Sequence, residues 1–404
     1  MTEGFFGTYF APINRQLAKL ARPPFTGWQD IFAYNRVHGA YLGIGVRGDL
    51  SDYNEALGKI GYGFADKRPY GSLLLKQFFE EERMAAITLE SFYNLKRMDN
   101  PYGFRNEGIT LTSLLFNNDY GDYYYSQGYK IGFEAGIGQL RFIRRNVFER
   151  PKTIKLYFQH ERQRQAEINT EFSILSPSRL FRDNPGIIEG TENALGFELN
   201  YNISPERRLS DFGIRLEGQI SDPKLVSSDF DYKRFLTSFN LRTKTLPLWR
   251  LDMRFSAGFS EGNLPPQRFF SLESAVSGIA GLNSFRGLGV KEFYGDRYFS
   301  LAFEHNFGEI IPGVLRIPNV ASFGLEFTIF GNVAYTEFSD NVIFSPLNEL
   351  LMRNKQTSTT ADKFYYEAGF GINQILVFLR LDVAARFSQT DVPKFFVTVG
   401  AATF

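Results

Sequence analysis

The side chains with catalytic chemistry to offer are few. Histidine occurs three times, at His38, His160 and His305, and cysteine not at all. No two histidines stand at a metal-ligand spacing, and a chain without thiols has no thiolate metal or redox site and no disulfide framework. No Gly-x-Ser-x-Gly elbow presents a nucleophilic serine. The glycines of GLGVKEFYG do not lie between a strand and a helix, so they make no phosphate cradle. These observations predict a protein that is not an enzyme and that takes neither metal nor cofactor. What remains is charge against charge. The stretch from Leu282 to Phe307, LNSFRGLGVKEFYGDRYFSLAFEHNF, begins as a glycine-rich loop around Arg286. It ends as a strand in which Phe299, Leu301 and Phe303 alternate with Ser300, Ala302 and Glu304. Arginine is a planar fork suited to carboxylates, so the chemistry open to such residues is ion pairing. A second acidic stretch, NNDYGD at 117–122, offers carboxylates to calcium or to lipopolysaccharide.

The elements that position these residues follow from a two-residue period. Trp249, Leu251, Met253, Phe255, Ala257 and Phe259 lie on one face of a strand, and Arg250, Asp252, Arg254, Ser256, Gly258 and Ser260 on the other. Leu195–Ile203, Phe212–Ile220 and Leu379–Phe387 repeat the pattern, as do 83–97, 123–136, 152–162, 231–244 and 322–336. Successive strand side chains point to opposite faces, so each segment has one apolar and one strongly polar side. A soluble sandwich would turn the apolar faces inward; a transmembrane barrel would turn them to lipid around a polar lumen. The segments commonly reach ten residues, the length a tilted strand needs to cross hydrocarbon (~9–11), and their polar faces mix Arg with Asp and Glu. Both features predict the barrel.

Composition agrees. The 404 residues hold 43 Phe and 21 Tyr against 2 Trp, with a formal net charge of +1. Near-neutral charge gives no reason to expect a nucleic-acid partner. Mean hydropathy is −0.23, and no run approaches the ~18–20 apolar residues of a spanning helix. The opening MTEGFFGTYF lacks the basic start and apolar core of a signal peptide, so an exported form would be mature or trimmed. Residues 1–30 form a separate N-terminal segment, with Ile13, Leu17 and Leu20 at helical spacing before Arg22-Pro23-Pro24; residues 31–404 form the barrel. About fifteen or sixteen strands can be placed, and even numbers are the rule in bacterial single-chain barrels, so the expectation is sixteen. Five of them follow the Arg-Gly loop: 295–307, 322–336, 363–373, 376–387 and 394–404. Short turns at 80–83 and 246–248 belong at the periplasmic rim, and long insertions at 99–121, 163–191, 261–294 and 338–362 at the outer one. The stretch 137–150 is the least regular.

SFRGLGVKEFYGDRYFSLAFEHNF resembles the lid loop and following strand of the BamA/TamA-type outer-membrane insertase superfamily, the bacterial surface antigen barrels. AYNRVHGAYLGIGVRG and FYYEAGFGINQILVFLRLDVAARF further resemble a Bacteroidota branch of it. The resemblance implies an all-β fold: a 16-stranded antiparallel transmembrane β-barrel with an inward-folded loop before the fifth-from-last strand, in the bacterial outer membrane. The closing aromatic Phe404 fits such barrels. By position, Arg286 becomes the loop anchor, with Gly287 and Gly289 allowing a tight backbone path and Glu304 as its lumen partner. In the next strand the family often has Phe-x-Asp-x-Gly; here Ile329 stands in place of the acid, so the arginine either rests on one carboxylate or uses another acid such as Glu326 or Asp296. Asp296 and Arg297 otherwise read as exposed charges. His305 points away from Glu304, toward lipid.

A closed barrel pairs its first strand with its last. Gly43 and Gly45 in YLGIGVRG, and Gly400 and Phe404 in the final strand, mark a seam weakened by glycine. Both faces of the final strand are small or apolar, so its inward register is not readable. The resemblance implies insertion or export of outer-membrane or surface proteins. The partners would be outer-membrane lipid and lipopolysaccharide, client proteins and accessory lipoproteins. A passive porin-like channel and a structural scaffold for surface lipoproteins are the alternatives.

Overall fold

The computed structural model describes residues 24–81, 83–98, 106–137, 152–206, 210–246, 249–275, 278–280, 284–308, 324–347, 349, 359–360, 363–375, 379–388 and 392–401. The expected helix around Ile13–Leu20, the stretch 138–150 and Phe404 lie outside these residues. Sixteen strands form one antiparallel sheet. They are β1 (Phe32–Asn35), β2 (Gly39–Ser51), β3 (Asn54–Gly63), β4 (Arg68–Phe78), β5 (Ala85–Arg97), β6 (Tyr123–Gly136), β7 (Thr153–Gln165) and β8 (Gly190–Glu206). The second half comprises β9 (Ser210–Ser221), β10 (Tyr232–Leu246), β11 (Trp249–Gly262), β12 (Arg297–Asn306), β13 (Glu326–Glu337), β14 (Tyr365–Ile375), β15 (Leu379–Arg386) and β16 (Lys394–Ala401). Each strand pairs with its neighbour in sequence, from β1–β2 through to β15–β16. A two-residue strand, Ile279–Ala280, adds to the sheet in parallel beside β16.

Side chains sort by solvent along these strands. The outer face carries Leu42, Ile44, Val46, Ile60, Leu73, Ile87, Ile131, Leu156, Phe303, Phe370 and Val397, all exposed. Apolar rows this extensive are not stable against water; acyl chains are the solvent that suits them. Such a wall must satisfy its own backbone polar groups, which a continuous ladder does. The inner face is polar and buried: Ser238, Asp252, Ser256, Ser260, Glu304, Asn332, Glu367 and Asp382 are all under a tenth exposed. The final strand is resolved in the same way, with Phe395, Val397 and Val399 outward (74%, 62% and 43% exposed) and Thr398 inward (2%). Its inner row is therefore Phe396, Thr398 and Gly400.

Strand direction alternates, and the four longest connections, 98–122, 166–189, 263–296 and 338–364, leave the barrel at one end. In barrels of this kind the longer loops face outside and the short turns the periplasm. Within 98–122 lies one helix, α1 (Asn106–Phe116), which packs beside β1: Tyr34 N donates to Thr110 Oγ1 at 3.3 Å. The chain joins the sheet earlier than the boundary at residue 31 drawn from periodicity. Arg47 N donates to Pro24 O at 2.6 Å, Thr26 N to Gly45 O at 3.1 Å and Gly43 N to Ile31 O at 3.0 Å, before the β1 ladder begins. Alternation did not reveal this because Pro23, Pro24, Gly27 and the 3₁₀ turn Trp28–Asp30 interrupt it.

The outward register carries a test. Phe370 sits midway along β14 on the lipid face, 45% exposed, where a cation costs about 2–4 kcal/mol near the bilayer midplane. Phe370→Arg is therefore expected to lower the stability of the barrel refolded in vesicles by that amount, read from urea titrations of its heat-modifiable gel mobility. An unchanged midpoint would place Phe370 in the lumen.

Candidate functional site

The loop between β11 and β12 does not stand outside; it turns back and fills part of the lumen. Its own backbone makes a small sheet, with Phe270 opposite Gly295 and Ser271 opposite Tyr294, extended by Leu272 N to Phe293 O at 3.1 Å. Phe270, Leu272, Phe285, Leu288 and Phe293 from the loop pack with Leu236, Tyr298, Ala334 and Tyr365 from the wall as a hydrophobic core inside the barrel. Fully burying each such side chain is worth about 1.5–3 kcal/mol.

Arg286 leaves this core and meets the wall. Its side chain is 2% exposed. Nε lies 3.2 Å from Asp382 Oδ2 on β15, Nη2 lies 3.3 Å from Glu304 Oε2 on β12, and Nη1 donates to Ser284 O at 2.9 Å. Arg380 closes the circuit, with Nη1 at 2.5 Å from Glu304 Oε1 and Nε at 2.7 Å from Asp382 Oδ1. Two guanidinium groups and two carboxylates thus alternate in a ring with no net formal charge. Neutrality matters because a buried charge without a partner costs several kcal/mol. The guanidinium carbon also rests 4.1 Å above the centre of the Phe330 ring, a favourable site for a cation. Phe330 has room to lie there because Gly369 is its neighbour in the β13–β14 register; a Cβ on Gly369 would come within 2.5 Å of the ring.

The backbone is held as firmly as the side chain. Glu367 on β14 accepts from Arg286 N at 2.8 Å and Gly287 N at 2.7 Å, and also from Asn332 Nδ2 and the Tyr365 hydroxyl, each at 2.7 Å. Gly287 is required by this approach: a Cβ there would sit 2.8 Å from Tyr365 Oη and 3.2 Å from Arg386 Cβ. Gly289 differs from expectation. It is exposed, a Cβ would meet nothing nearer than 3.5 Å, and its amide simply donates to Glu292 Oε2 at 2.8 Å.

Sequence reasoning paired Arg286 with Glu304, and the structure brings them together. The second partner is Asp382, not Glu326 or Asp296. Glu326 is engaged at the turn end with Asn306, Asn373 and Gln374. Asp296 is fully buried rather than exposed, accepting from Ser339 N at 2.8 Å and from the hydroxyls of Ser260 and Ser339. Ile329 is outside the question, because it faces lipid; the inner row of β13 is Thr328, Phe330, Asn332 and Ala334. Alternation did hold the signal for Asp382: it is the sole acid on the polar face of LRLDVAARF. His305 lies on the outer face among Trp249 and Phe307, as parity implied.

A second anchor went unread. Arg268, in the 3₁₀ turn Pro266–Arg268 at the start of the loop, reaches the opposite wall. Its Nη2 lies 2.5 Å from Glu161 Oε2 on β7 and 2.8 Å from Glu192 Oε1 on β8, and Nε donates to Glu192 Oε2 at 3.0 Å. Lys96 Nζ adds a second cation 3.1 Å from Glu161. Beside it, Gln267 donates to Gln163 Oε1 at 2.5 Å and to Ile188 O at 2.9 Å. The loop is therefore a strut tied to both sides of the barrel. On the β2–β7 side of the lumen a cavity of ≈ 890 Å³ remains, lined among others by Asp30, Tyr41, Lys59, Glu90, Lys96 and Lys130.

In the acidic stretch 117–122 the carboxylates expected to be open to calcium or lipopolysaccharide are turned inward. Asp119 and Asp122 are buried and taken by this protein's own cations: Arg36 lies 3.4 Å from Asp119 and 3.3 Å from Asp122, with Arg182 and the Tyr294 hydroxyl also on Asp122. Burial alone would raise the Asp122 carboxyl, but Arg182, Lys291 and Arg36 outweigh it and hold the group below its ordinary range. Among the described residues no cluster of acids and histidines suits a metal ion.

The expected seam looks different. Gly43 of β2 lies against Ile60 O, the Tyr41 hydroxyl and Asp30 O, and Gly45 against Thr26 and Asp30. Gly400 pairs with Arg380 and with Ala280. Among the described residues no ladder joins β1 or β2 to β16, and residues 402–404 of the expected pairing between 40–48 and 395–404 lie outside those described.

With this geometry in hand, the chain can be compared with known proteins. No protein-family model and no curated protein matches it. Among solved structures, it is similar to BamA from Haemophilus ducreyi lacking POTRA domains 1–3, at 13% identity and a TM-score of 0.51, over 92% of this chain and 69% of that one. It also aligns with CdiB from Escherichia coli (10% identity, TM-score 0.37, 91% of this chain and 59% of that one) and with Pseudomonas aeruginosa OprD (11%, 0.30, 89% and 87%). The likeness to BamA shows the fold, an outer-membrane-type β-barrel.

Three outcomes follow. Arg286→Ala leaves Glu304 and Asp382 a cation short and is expected to destabilise the docked loop by about 3–5 kcal/mol, seen as faster amide exchange across 284–294. Gly287→Ala is expected to cost about 1–3 kcal/mol by overpacking, whereas Gly289→Ala stays within about 0.5 kcal/mol; equal effects would contradict the geometry. A carboxyl held low, as Asp122 is, contributes stability that is complete above its ordinary value of about 4 and lost as pH falls through its lowered one. The outer loops are thus expected to resist protease at pH 5 and to become cleavable only well below pH 4.

Proposed function

We propose that this protein is a non-catalytic outer-membrane barrel that takes part in inserting or exporting outer-membrane or surface proteins. The observation that carries the reading is the lumen strut. A loop carrying Arg-Gly folds inward and is held by a neutral ion ring on the wall, the arrangement that the resemblance to the insertase superfamily implied. The seam adds support, since among the described residues no ladder joins the first strands to the last and a sheet edge is a template for another strand. On this reading the partners are the outer-membrane lipids, lipopolysaccharide among them, unfolded client barrels and accessory lipoproteins.

A passive channel predicts something else. Its lumen charges would line an open path and set ion selectivity, whereas here the loop bridges β7–β8 to β12–β15. Vesicles containing the purified protein are expected to speed the folding of a urea-unfolded small outer-membrane barrel severalfold over empty vesicles. In planar bilayers the same protein is expected to be nearly silent, with conductance rising in Arg286→Ala and Arg268→Ala. Large steady conductance without any acceleration of folding would replace this reading with the porin.

A further inference from the structure

Among the described residues, β16 takes part in two ladders. It pairs with β15 on one side. On the other side stand residues 278–280 of the lumen loop. Val399 N donates to Gly278 O at 2.6 Å, and Ile279 and Ala280 run parallel to Val399 and Gly400. Gly278 has φ +75, a left-handed conformation open to glycine. These residues project from a base closed by two bonds: Phe285 N donates to Glu273 O at 3.0 Å and Ala275 N to Phe285 O at 2.8 Å. Phe285 is 2% exposed in the lumen core, and the next residue is Arg286.

We propose that residues 278–280 are an edge cap on β16 and that the Arg286 ion ring keeps them there, so that breaking the ring uncovers the edge. Unpaired backbone groups are costly in a bilayer, and the cap supplies a partner to the amide of Val399 that no barrel strand supplies. The cap is short, two residues in register against eight in the β15–β16 ladder, so it is the rung of this sheet most easily displaced. Its tether is short as well. From Ala280 to Ser284 the chain spans at most about 14 Å. While Ser284 and Arg286 are docked, the cap stays within that reach of β16; once they leave, only its own rung to Val399 and Gly400 holds it. The loop then has two tasks, bracing the lumen and guarding the seam, joined at the consecutive residues Phe285 and Arg286. The opposite rim is guarded independently, by residues 24–35 along β2. This inference concerns how the seam is closed at rest and stands whether or not the barrel inserts clients.

Because the chain has no cysteine, introduced pairs report without background. Ile279→Cys with Val399→Cys places two thiols on directly paired residues, where adjacent strands lie about 4.7–4.9 Å apart, within disulfide range. The expected result in vesicles is rapid disulfide formation, slowed about fivefold or more by adding Arg286→Ala. Leu42→Cys with Val397→Cys, which would span a directly closed seam, is expected to stay reduced. If Arg286→Ala does not fold, Asp382→Asn opens the same ring with almost no change of volume and is expected to slow the bond likewise. A 279–399 bond that never forms, one indifferent to both ring variants, or a 42–397 bond would each overturn the proposal.

Discussion

The interior of this barrel depends on one electrostatic condition: each charge taken out of water must meet an opposite charge or a full set of hydrogen-bond partners at contact distance. The ring of Arg286, Glu304, Arg380 and Asp382 meets it with four buried groups and no net formal charge. Arg268 with Lys96, Glu161 and Glu192 meets it again across the lumen. Neither ring is a generic source of stability, since desolvation offsets most of the Coulomb attraction. Their effect is specificity. Each of the loop's two anchoring arginines has a place in the lumen where it is not penalised, and those two places fix where the rest of the loop goes.

Packing then turns a position into a rigid object. Between the two arginines the loop buries Phe270, Leu272, Phe285, Leu288 and Phe293 against Leu236, Tyr298, Ala334 and Tyr365. Glu367 clamps the backbone at Arg286 and Gly287. Small wall residues make space: Gly369 admits the Phe330 ring on which the guanidinium rests. A greasy core inside a polar lumen inside a greasy exterior is an unusual order of layers. It follows from a barrel wide enough to leave space that one of its own loops occupies.

The wall was legible in the sequence and the interior only partly so. Alternation in WRLDMRFSAGFS or LRLDVAARF reports a strand with two solvents, and local pattern suffices for it. The even count and the five strands after the loop agree with the sheet observed. Arg286 with Glu304 was readable because the two lie 18 residues apart, joined by a strand whose parity can be followed. Asp382, 96 residues away, and Glu161, 107 residues from Arg268, are brought near by barrel closure, which no local pattern encodes. Asp296 misled because a charge at a strand's start is usually solvated, and here Ser260 and Ser339 enclose it. Ile329 misled because a motif was aligned by spacing rather than by the face each residue occupies. The seam is inferred from glycines, whereas the backbone of residues 24–35 beside β2 and of 278–280 beside β16 leaves no mark on composition.

The central claim is that the lumen loop is held by direct coupling of Arg286 to the carboxylates of the wall. A double-mutant cycle with Arg286→Met and Asp382→Leu tests it most directly, taking amide protection of the loop as the free-energy readout. Directly paired groups are expected to show an interaction energy of about 0.5–3 kcal/mol, so that the double variant loses clearly less than the sum of the two single ones. Strict additivity, with the loop as protected in the Arg286→Met protein as in the parent, would mean that the arginine does not hold it.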